Sequence, residues 1–579
     1  MSTDIADLNI GSEKFAQRVL ANQNKLRSEL RSHYDFIVCG SGSSGSVVAG
    51  RLAENPDVHV LLLEAGGDDN APSVVEARQW IKNIGSERYW QFKAEPNHWL
   101  NGRAISLGMG KGLGGGSSIN AMIWARGHKS DWDFFASEAG DPAWSYESVL
   151  NIYRRIEDWH GAPDPKYRGT GGPVFVQPRP DSSSVGRALL EGMRSLGIPI
   201  FENQNGRMME AGGGASVPDM RIRDGKRQSV FRSYVFPYMD RPNLTVLSHA
   251  LVTRLTFEGK RVTGVEIFWD GRTHHIRAAR EVIMSLGAMN TPKVLMQSGI
   301  GDETELQRFG IPVVQHLPGV GNGFQDHPVI ACVWECSEPL PPDAAPDAVL
   351  FWKSEISLAS PDFQILQGVL SVEDAAKLGL PASGWTLLGN VVQPKSRGHL
   401  HLTGPDPDDP IQIETNLLWE QDDRKALLEC AKLCRAIGNL DLLRPFLKRE
   451  VLPGKLKRTS LEEYIRDAAM SFWHQTSTAK MGRDPMSVVD GNLKVYGVDN
   501  LRIADGSIMP RVTTGNTMAP CVIIGERAAE IIRNQHQIEP LSFPIHGRNR
   551  TPYEKRGRKV VSTQNKQMAQ FFASEWVEY

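Results

Sequence analysis

Apolar and polar positions divide the chain into stretches of different periodicity. Within residues 1–33, the apolar side chains of Phe15, Val19, Leu26 and Leu30 recur at spacings that place them on one face of a helix. We therefore expect an N-terminal helical arm over residues 1–33 that packs on the main body of the protein. A membrane-surface role is disfavoured, because the opposite face of the arm mixes acids with bases.

The pattern changes at Tyr34 to a short apolar strand, a glycine-rich turn and a helix that begins near Ser44. Gly40, Gly42 and Gly45 form the pattern GxGxxG in this turn. Such glycines permit a tight turn, close approach of the backbone to a pyrophosphate and close packing of helix on strand. The N-terminus of the helix offers free N–H groups to phosphate oxygens. The segment therefore predicts a dinucleotide site.

A second apolar strand, VHVLLLEAG, ends at Glu64, about 20 residues after Gly45. A carboxylate there accepts hydrogen bonds from a ribose diol and repels a 2′-phosphate, which favours FAD or NAD over NADP. With the strand, turn and helix in place, this acid favours dinucleotide binding over a turn that serves packing alone. The fingerprint does not separate FAD from NAD.

A second glycine-rich segment, GMGKGLGGGSSINAM, contains six glycines between Gly108 and Gly116. So many glycines predict a loop that brings backbone N–H groups close to a flat or anionic group. A flexible loop is the alternative, against which the flanking SSINAM and an apolar run argue.

With these blocks the chain resembles the glucose-methanol-choline (GMC) oxidoreductase family. The matching blocks are the first fingerprint, GLGGGSSINAM, SLGAMNTPKVLMQSGIG, and the closing DGSIMP and GNTMAP, in order from about Tyr34 to about Gln535. The resemblance implies an α/β fold with a Rossmann-like FAD-binding domain. It also implies an interwoven α+β substrate domain, in which helices back an antiparallel sheet.

In similar enzymes the glycine loop lies beside the reactive edge of the flavin, and a later valine contacts adenine through its backbone. The closing blocks lie near the ribityl chain and the pyrimidine side of the ring. The resemblance thus places around FAD the residues Gly114, Gly115, Gly116, Ser117, Asn120, Ala121, Val252, Asp505, Gly506, Asn516, Thr517 and Met518. Some relatives carry a histidine in SSxN that bonds covalently to the flavin. This chain has Ile119 there, so we expect non-covalent FAD.

Oxidation of an alcohol requires loss of the hydroxyl proton and transfer of a hydride from the adjacent carbon to flavin N5. His474 matches the family's catalytic histidine, and a neutral imidazole suits proton removal because its ordinary pKa is about 6.5. Asn516 matches a second position that is His or Asn. Since an amide does not take up a proton, we expect Asn516 to orient the alkoxide and stabilise its charge. Without these blocks, a histidine after two aromatics is more often a packing residue.

Two further features surround His474. Trp473 either faces the substrate cavity or packs in the core, and the sequence supports the two alternatives about equally. Many relatives have HPxGT after the histidine, whereas this chain has Gln475 in place of proline. The change restores a backbone N–H and is expected to loosen the turn.

The positions of the blocks divide the chain into discontinuous domains. We expect an FAD-binding domain from 34–160, 225–330 and 480–537, a substrate-binding domain from 160–225 and 331–479, and a C-terminal extension over 538–579. Residues 548–559 carry six basic side chains and one acid. A solvated or partner-contacting arm is favoured there over contact with an anionic membrane.

Composition excludes several classes. The chain has 579 residues, 40% apolar and 23% charged, with a formal net charge of -2, so it is too long for one core and gives no reason to expect a nucleic-acid partner. Six scattered cysteines predict neither a disulfide framework nor a metal site. No signal-like N-terminus and no apolar stretch near about 20 residues is present, which predicts a cytoplasmic enzyme without a transmembrane segment. Peripheral membrane contact and a homodimer stay open.

The leading prediction is an FAD-dependent alcohol oxidase or dehydrogenase that converts a primary alcohol to the aldehyde. Oxygen or a quinone-type acceptor would reoxidise the flavin. GMC-like scaffolds also host a lyase and a light-driven fatty-acid decarboxylase, which form the alternative, and a flavin-bearing protein without turnover is disfavoured by His474 and Asn516. The alcohol stays open, since a choline-like cation would require a carboxylate or an aromatic cage.

Overall fold

The structure is a computed structural model that describes residues 12–179, 183–338, 346–377, 384–455 and 458–539. The basic stretch predicted within the C-terminal extension, and the first eleven residues of the N-terminal arm, lie outside the described residues.

The first sheet joins strands from three distant parts of the chain. Its strands lie in the spatial order Leu244–Leu247, Val60–Leu63, His33–Cys39, Arg272–Met284, Arg261–Trp269 and Leu251–Glu258, and Leu501–Ile503 also pairs with Arg272–Met284. The first four and Leu501–Ile503 run parallel, and the other two form an antiparallel meander. All four side chains of Val60–Leu63 are buried, as expected for a parallel strand covered on both faces.

Two helices pack over the start of this sheet. Helix Ser43–Leu52 follows the first strand directly after the glycine turn. Helix Met518–His536 lies against it, and a Cβ at Gly525 would come within 2.7 Å of the Ser44 carbonyl oxygen. Glycine at 525 therefore permits the close approach of the two helices.

The second sheet is antiparallel. Its strands lie in the order Leu447–Leu452, Pro328–Cys336, Gly384–Val391, Phe363–Leu370, Val349–Trp352 and Gly214–Ser216, with Met470–Ser471 paired to Pro328–Cys336. Helix Gln421–Gly438 backs it and buries Leu427, Cys430 and Cys434. The predicted fold class is confirmed, and the predicted boundary at 330 falls inside strand Pro328–Cys336.

Shorter elements connect the sheets. The other helices are Pro72–Val75, Lys129–Ala139, Tyr146–Ile156, Ser184–Ser195, Val230–Tyr234, Gly287–Gln297, Glu303–Arg308, Val372–Lys377 and Arg458–Ala468. The other strands are Tyr89–Lys93, Ser106–Gly110, Glu157–Trp159, Val174–Pro178, Asp219–Met220, Ile222–Arg223, Lys226–Arg227, Ile300–Gly301, Gln315–His316, Asn322–Phe324, Gly398–Leu402 and Ile411–Glu414. Within the described part of the chain, no helix combines the length and apolar character needed to cross a membrane.

The N-terminal arm contains helix Glu13–Ser28, which packs on the first sheet and buries Phe15 and Val19. Gln23 is buried with them, and its amide nitrogen donates to the carbonyl of Leu244 at 2.9 Å. Its amide oxygen accepts from the backbone N–H of Val246, also at 2.9 Å. The helix is therefore joined to the edge strand by hydrogen bonds as well as by apolar contact.

Candidate active site

A cavity of about 700 Å³ lies where the parallel strands end. Within three residues of the end of each of the five parallel strands, one residue lines the cavity. These residues are Gly40, Glu64, Ala250, Ser285 and Asp505. Ligands of open α/β sheets bind at this carboxyl edge. The volume is within the usual range for ligand and cofactor sites.

Most of the predicted site residues meet on this cavity. Those that line it are Gly40, Gly42, Ser44, Glu64, Gly115, Gly116, Asn120, Ala121, Val252, Trp473, His474, Asp505, Gly506, Asn516, Thr517 and Met518. Gly45, Gly114 and Ser117 do not line it and lie behind the wall instead. Ile119, at the position of the covalent histidine of some relatives, also faces the cavity.

Gly45 and Gly42 have different roles in the glycine turn. A Cβ at Gly45 would lie 1.9 Å from the carbonyl oxygen of Gly40, so this position must lack a side chain for the turn to close. A Cβ at Gly42 would meet no atom within 4 Å and would project into open space. Gly42 therefore leaves room beside the helix N-terminus, where a pyrophosphate is bound in such turns.

Glu64 is buried at the end of the second strand. One carboxylate oxygen accepts from the N–H and hydroxyl of Ser41, at 3.1 and 2.7 Å, and the other accepts from the N–H of Gly66 at 3.0 Å. Burial raises the pKa of Glu64, and these hydrogen bonds oppose the rise. The carboxylate thus holds the glycine turn in place while it lines the cavity.

The second glycine loop is tightly held. Gly114 has φ +90°, and a Cβ at Gly115 would lie 2.8 Å from the Cα of Gly42, so this loop packs directly on the glycine turn. Ser117 donates to the carbonyl of Gly114 at 2.7 Å, and the buried Arg227 donates to the side-chain oxygen of Asn120 at 2.8 Å. These contacts favour an ordered wall over a flexible loop.

A Cβ at Gly116, like one at Gly42, would meet no atom within 4 Å. The two loops therefore offer bare backbone to the same cavity, and one of them does so at a helix N-terminus. This is the cradle that an extended dinucleotide with a flat ring requires. The residues present therefore fit FAD.

Asp505 joins the two late sequence blocks. Its carboxylate accepts from the N–H of Gly287 at 2.9 Å, the hydroxyl of Thr291 at 2.6 Å and the N–H of Ser507 at 2.8 Å. Burial raises its pKa against these bonds. The acid therefore ties the closing block to the helix that follows the long parallel strand.

His474 and Asn516 lie side by side at the cavity wall. Nε2 of His474 is 3.3 Å from the amide nitrogen of Asn516, and the amide oxygen of Asn516 is buried without a partner. His474 is 8% exposed, and burial lowers its pKa to about 3. The imidazole is therefore neutral near pH 7 and able to accept a proton.

Two residues behind His474 were missed from the sequence. His327 is fully buried, and its Nδ1 lies 2.9 Å from Nδ1 of His474. Asp326 accepts the backbone N–H of His327 at 2.8 Å and that of His474 at 2.9 Å, and its other oxygen accepts from Ser471. Burial raises the pKa of Asp326 to about 6. The polar run QDHP before a buried strand was the available signal.

The loop after His474 is held without proline. Thr476 and Gln325 exchange backbone hydrogen bonds at 2.9 and 3.1 Å, and the Gln475 side chain donates to Ser471 at 3.1 Å. These bonds compensate for the freedom that Gln475 was expected to introduce.

Part of the cavity wall is apolar. Trp80, Met122, Ile123, Leu366, Leu388 and Phe472 line it and belong to one hydrophobic cluster, with Trp473 packed against them. Trp473 therefore lines the cavity and packs against the apolar cluster at the same time.

Comparison with known proteins identifies the family of the chain. Two profiles of the GMC oxidoreductase family match residues 34–329 and 394–525. Mouse mitochondrial choline dehydrogenase is 34% identical over 89% of this chain and 92% of its own length. Oxygen-dependent choline dehydrogenase from Citrobacter koseri is 35% identical over 88% of this chain and 96% of its own length.

Solved structures share the fold. Pyridoxine 4-oxidase from Mesorbium loti superposes with a TM-score of 0.81 at 30% identity and covers 87% of this chain and all of its own. Formate oxidase from Aspergillus oryzae reaches the same TM-score of 0.81 at 24% identity, over 87% of this chain and 99% of its own.

The chain belongs to the GMC oxidoreductase family. It is an FAD-dependent oxidoreductase that acts on alcohols, so the predicted family, cofactor and enzyme class are confirmed.

Proposed function

We propose that this enzyme oxidises a primary alcohol to the aldehyde, with His474 as the general base. The observation that carries the proposal is the pairing of a neutral, buried His474 with Asn516 on the wall of the cavity. FAD, when bound, would supply the acceptor for the hydride that leaves the carbon atom of the alcohol. Side chains of the chain itself would remove the hydroxyl proton and stabilise the charge that develops on the oxygen.

FAD would be held by the two glycine loops and by residues along the cavity. These are Gly40, Gly42, Ser44, Glu64, Gly115, Gly116, Asn120, Ala121, Val252, Asp505, Gly506, Thr517 and Met518. Gly45, Gly114 and Ser117 would act by shaping those loops. Ile119 offers no nucleophile to the ring, so attachment would be non-covalent, and flavin should be released when the protein is denatured and filtered.

Proton removal is the task of His474. Its lowered pKa leaves the ring neutral near pH 7, as a general base requires, and the side chain is 8% exposed. The amide of Asn516 would donate to the substrate oxygen as its negative charge develops. The apolar wall formed around Phe472 and Trp473 would exclude water from the reacting oxygen.

The substrate and the acceptor are proposed more broadly. The names of the relatives suggest choline, and the aromatic faces of Trp80, Phe472 and Trp473 on the cavity wall suit a quaternary ammonium as well as an uncharged alcohol. Either oxygen or a quinone-type compound would take the electrons from the reduced flavin.

The test is the absorption spectrum of the holoenzyme mixed without oxygen with a panel of primary alcohols that includes choline. Bleaching in the dark by one alcohol supports the proposal, and readmitted air then separates rapid oxidase recovery from slow dehydrogenase recovery. Flavin that stays oxidised with every alcohol would favour the lyase or light-driven decarboxylase instead.

A substitution at His474 tests its assignment as the general base. His474→Ala should keep bound FAD and slow flavin reduction by about 10² to 10⁴-fold. The control is His160→Ala, which removes a half-exposed histidine outside the cavity. Loss of FAD from His474→Ala alone would identify a structural residue rather than a base.

A further inference from the structure

His327 and His474 face each other through the same ring nitrogen. Their Nδ1 atoms lie 2.9 Å apart, and the rings meet edge to face with 4.9 Å between centroids. A hydrogen bond between two such nitrogens requires a proton on one and a lone pair on the other. The contact therefore admits two arrangements, and only one of them leaves Nε2 of His474 without a proton.

Both rings are neutral near pH 7. Burial lowers the pKa of His474 to about 3. Burial and the nearby His474 together lower the pKa of His327 well below its ordinary value. Each ring therefore carries a single proton, and the groups that its two nitrogens contact decide which nitrogen holds it.

The His327 ring also lies near backbone acceptors. The carbonyl groups of Val392 and Thr513 interact with the imidazole and favour a proton on it, although Nε2 makes no well-formed hydrogen bond within the described part of the chain. A carbonyl oxygen accepts and never donates. With no hydrogen-bond partner among the described residues, Nε2 of His327 is free to hold the ring proton, which leaves its Nδ1 to accept the Nδ1–H of His474.

The contact between Asn516 and His474 supports the same position of the proton on His474. The amide nitrogen of Asn516 faces Nε2 of His474 at 3.3 Å, and an amide N–H donates to a lone pair. The N–H groups therefore point in one direction, from Asn516 to His474 and from His474 to His327.

We propose that His327 is a positioning residue that holds His474 in the Nδ1–H tautomer, so that Nε2 presents to the substrate hydroxyl the lone pair that the Asn516 amide otherwise faces. When Nε2 takes the hydroxyl proton, the Nδ1–H becomes a charge-assisted donor to the neutral His327 and stabilises the buried imidazolium. No proton passes to His327, and no electron moves between the rings. This inference rests on the proposed role of His474 as the base.

The structure permits a clean test, because Asp326 holds the main chain of both histidines. Its bonds go to the backbone N–H groups of His327 and His474, so they survive a change of the His327 side chain. His327→Asn places an amide oxygen where Nδ1 was, and His327→Leu has nearly the same shape without an acceptor. The two variants differ chiefly in the ability to accept the Nδ1–H.

The measurement is anaerobic reduction of the bound flavin over a range of concentrations of an alcohol that bleaches the wild type. His327→Leu should lower the limiting rate by about 10²-fold, with the alcohol dissociation constant within about twofold. His327→Asn should recover about tenfold of that loss. In a His474→Ala background, His327→Leu should add less than about twofold, because residues that act as a unit are not additive.

A second readout needs no turnover. With ring-¹⁵N-labelled histidine in the wild-type holoenzyme, the resonance that disappears in His474→Ala should show a neutral ring protonated at Nδ1. Protonation at Nε2 would overturn the proposal. This measurement also decides the case if His327→Leu does not fold.

Two kinetic results would likewise overturn it: a wild-type rate in His327→Leu, or equal losses in the Leu and Asn variants with FAD still bound. Rapid flavin reduction by His474→Ala would refute the base assignment itself, which separates failure of the proposed function from failure of this inference.

Discussion

Trp473 donates its indole N–H to the hydroxyl oxygen of Tyr89 at 2.7 Å, one residue before the proposed base. The backbone of Trp473 has φ +59°, a conformation that bulky residues rarely adopt. Burial raises the pKa of Tyr89 to about 12, so the phenol stays protonated and accepts through a lone pair. The bond therefore fixes the indole on the cavity wall at the start of the His474 loop.

Loss of that acceptor should affect substrate binding more than chemistry. Tyr89→Phe should weaken alcohol binding about fivefold, the equivalent of roughly 1 kcal/mol for one hydrogen bond, and leave the limiting rate of flavin reduction nearly unchanged. The control is Tyr496→Phe, which removes a hydroxyl bonded to the Gly482 carbonyl outside the cavity. A drop in the limiting rate with unchanged binding would contradict the prediction.

The two glycines of the first turn should respond differently to alanine. Gly42→Ala has room for its methyl group, so the apoprotein should keep its unfolding temperature and lose affinity for FAD. Gly45→Ala would place a carbon 1.9 Å from a carbonyl oxygen and should lower the unfolding temperature as well. Titration of each apoprotein with FAD, alongside thermal unfolding, checks both. Tight FAD binding by Gly42→Ala would mean that the pyrophosphate lies elsewhere.

Glu64 should be needed for FAD affinity through its charge and its hold on the turn. Glu64→Gln should weaken FAD binding by about tenfold, because a carboxylate accepts stronger hydrogen bonds than an amide. Glu64→Arg should weaken it further, since a guanidinium accepts none. Equilibrium titration of apoprotein gives both values. Unchanged affinity in both variants would remove Glu64 from the cofactor site.

Asp326 should give the protein a specific pH dependence. Its folded-state pKa of about 6 is above the ordinary value near 3.9, so the stability it contributes is present below about pH 4 and is lost as pH rises through about 6. Asp326→Asn is neutral throughout and keeps an oxygen for both backbone N–H groups. The variant should therefore gain stability relative to the wild type between about pH 4 and 7, by up to about 3 kcal/mol.

Unfolding temperatures of both proteins across that pH range check the prediction. His327 and His474, whose lowered pKa values cost stability as pH falls, are present in both proteins and cancel in the difference. A constant difference would mean that Asp326 does not titrate in the folded protein.

The sequence predicted the parts of the site that are local in the chain. Gly40, Gly42 and Glu64 belong to one strand–turn–helix–strand unit, and their spacing in the sequence is enough to predict that they lie close together. His474 and Asn516 were found because each belongs to a block that resembles a family motif, and the structure brings them within hydrogen-bonding distance.

The rest depended on long-range contacts that no local pattern encodes. His327 reaches His474 from 147 positions away along the chain. Gln475 was expected to loosen its loop, yet the bonds between Thr476 and Gln325 come from another segment of the chain. Such pairings arise from tertiary packing, and local preferences give way to them.

The N-terminal helix has a protective consequence. Strand Leu244–Leu247 is the outermost strand of the first sheet, where exposed main-chain groups could recruit a strand from another molecule. Gln23 and Arg27 occupy its groups at Leu244 and Val246 instead. The helix thereby protects the sheet edge against edge-to-edge aggregation. A chain that lacks this one helix should therefore aggregate under conditions in which its active site is still folded.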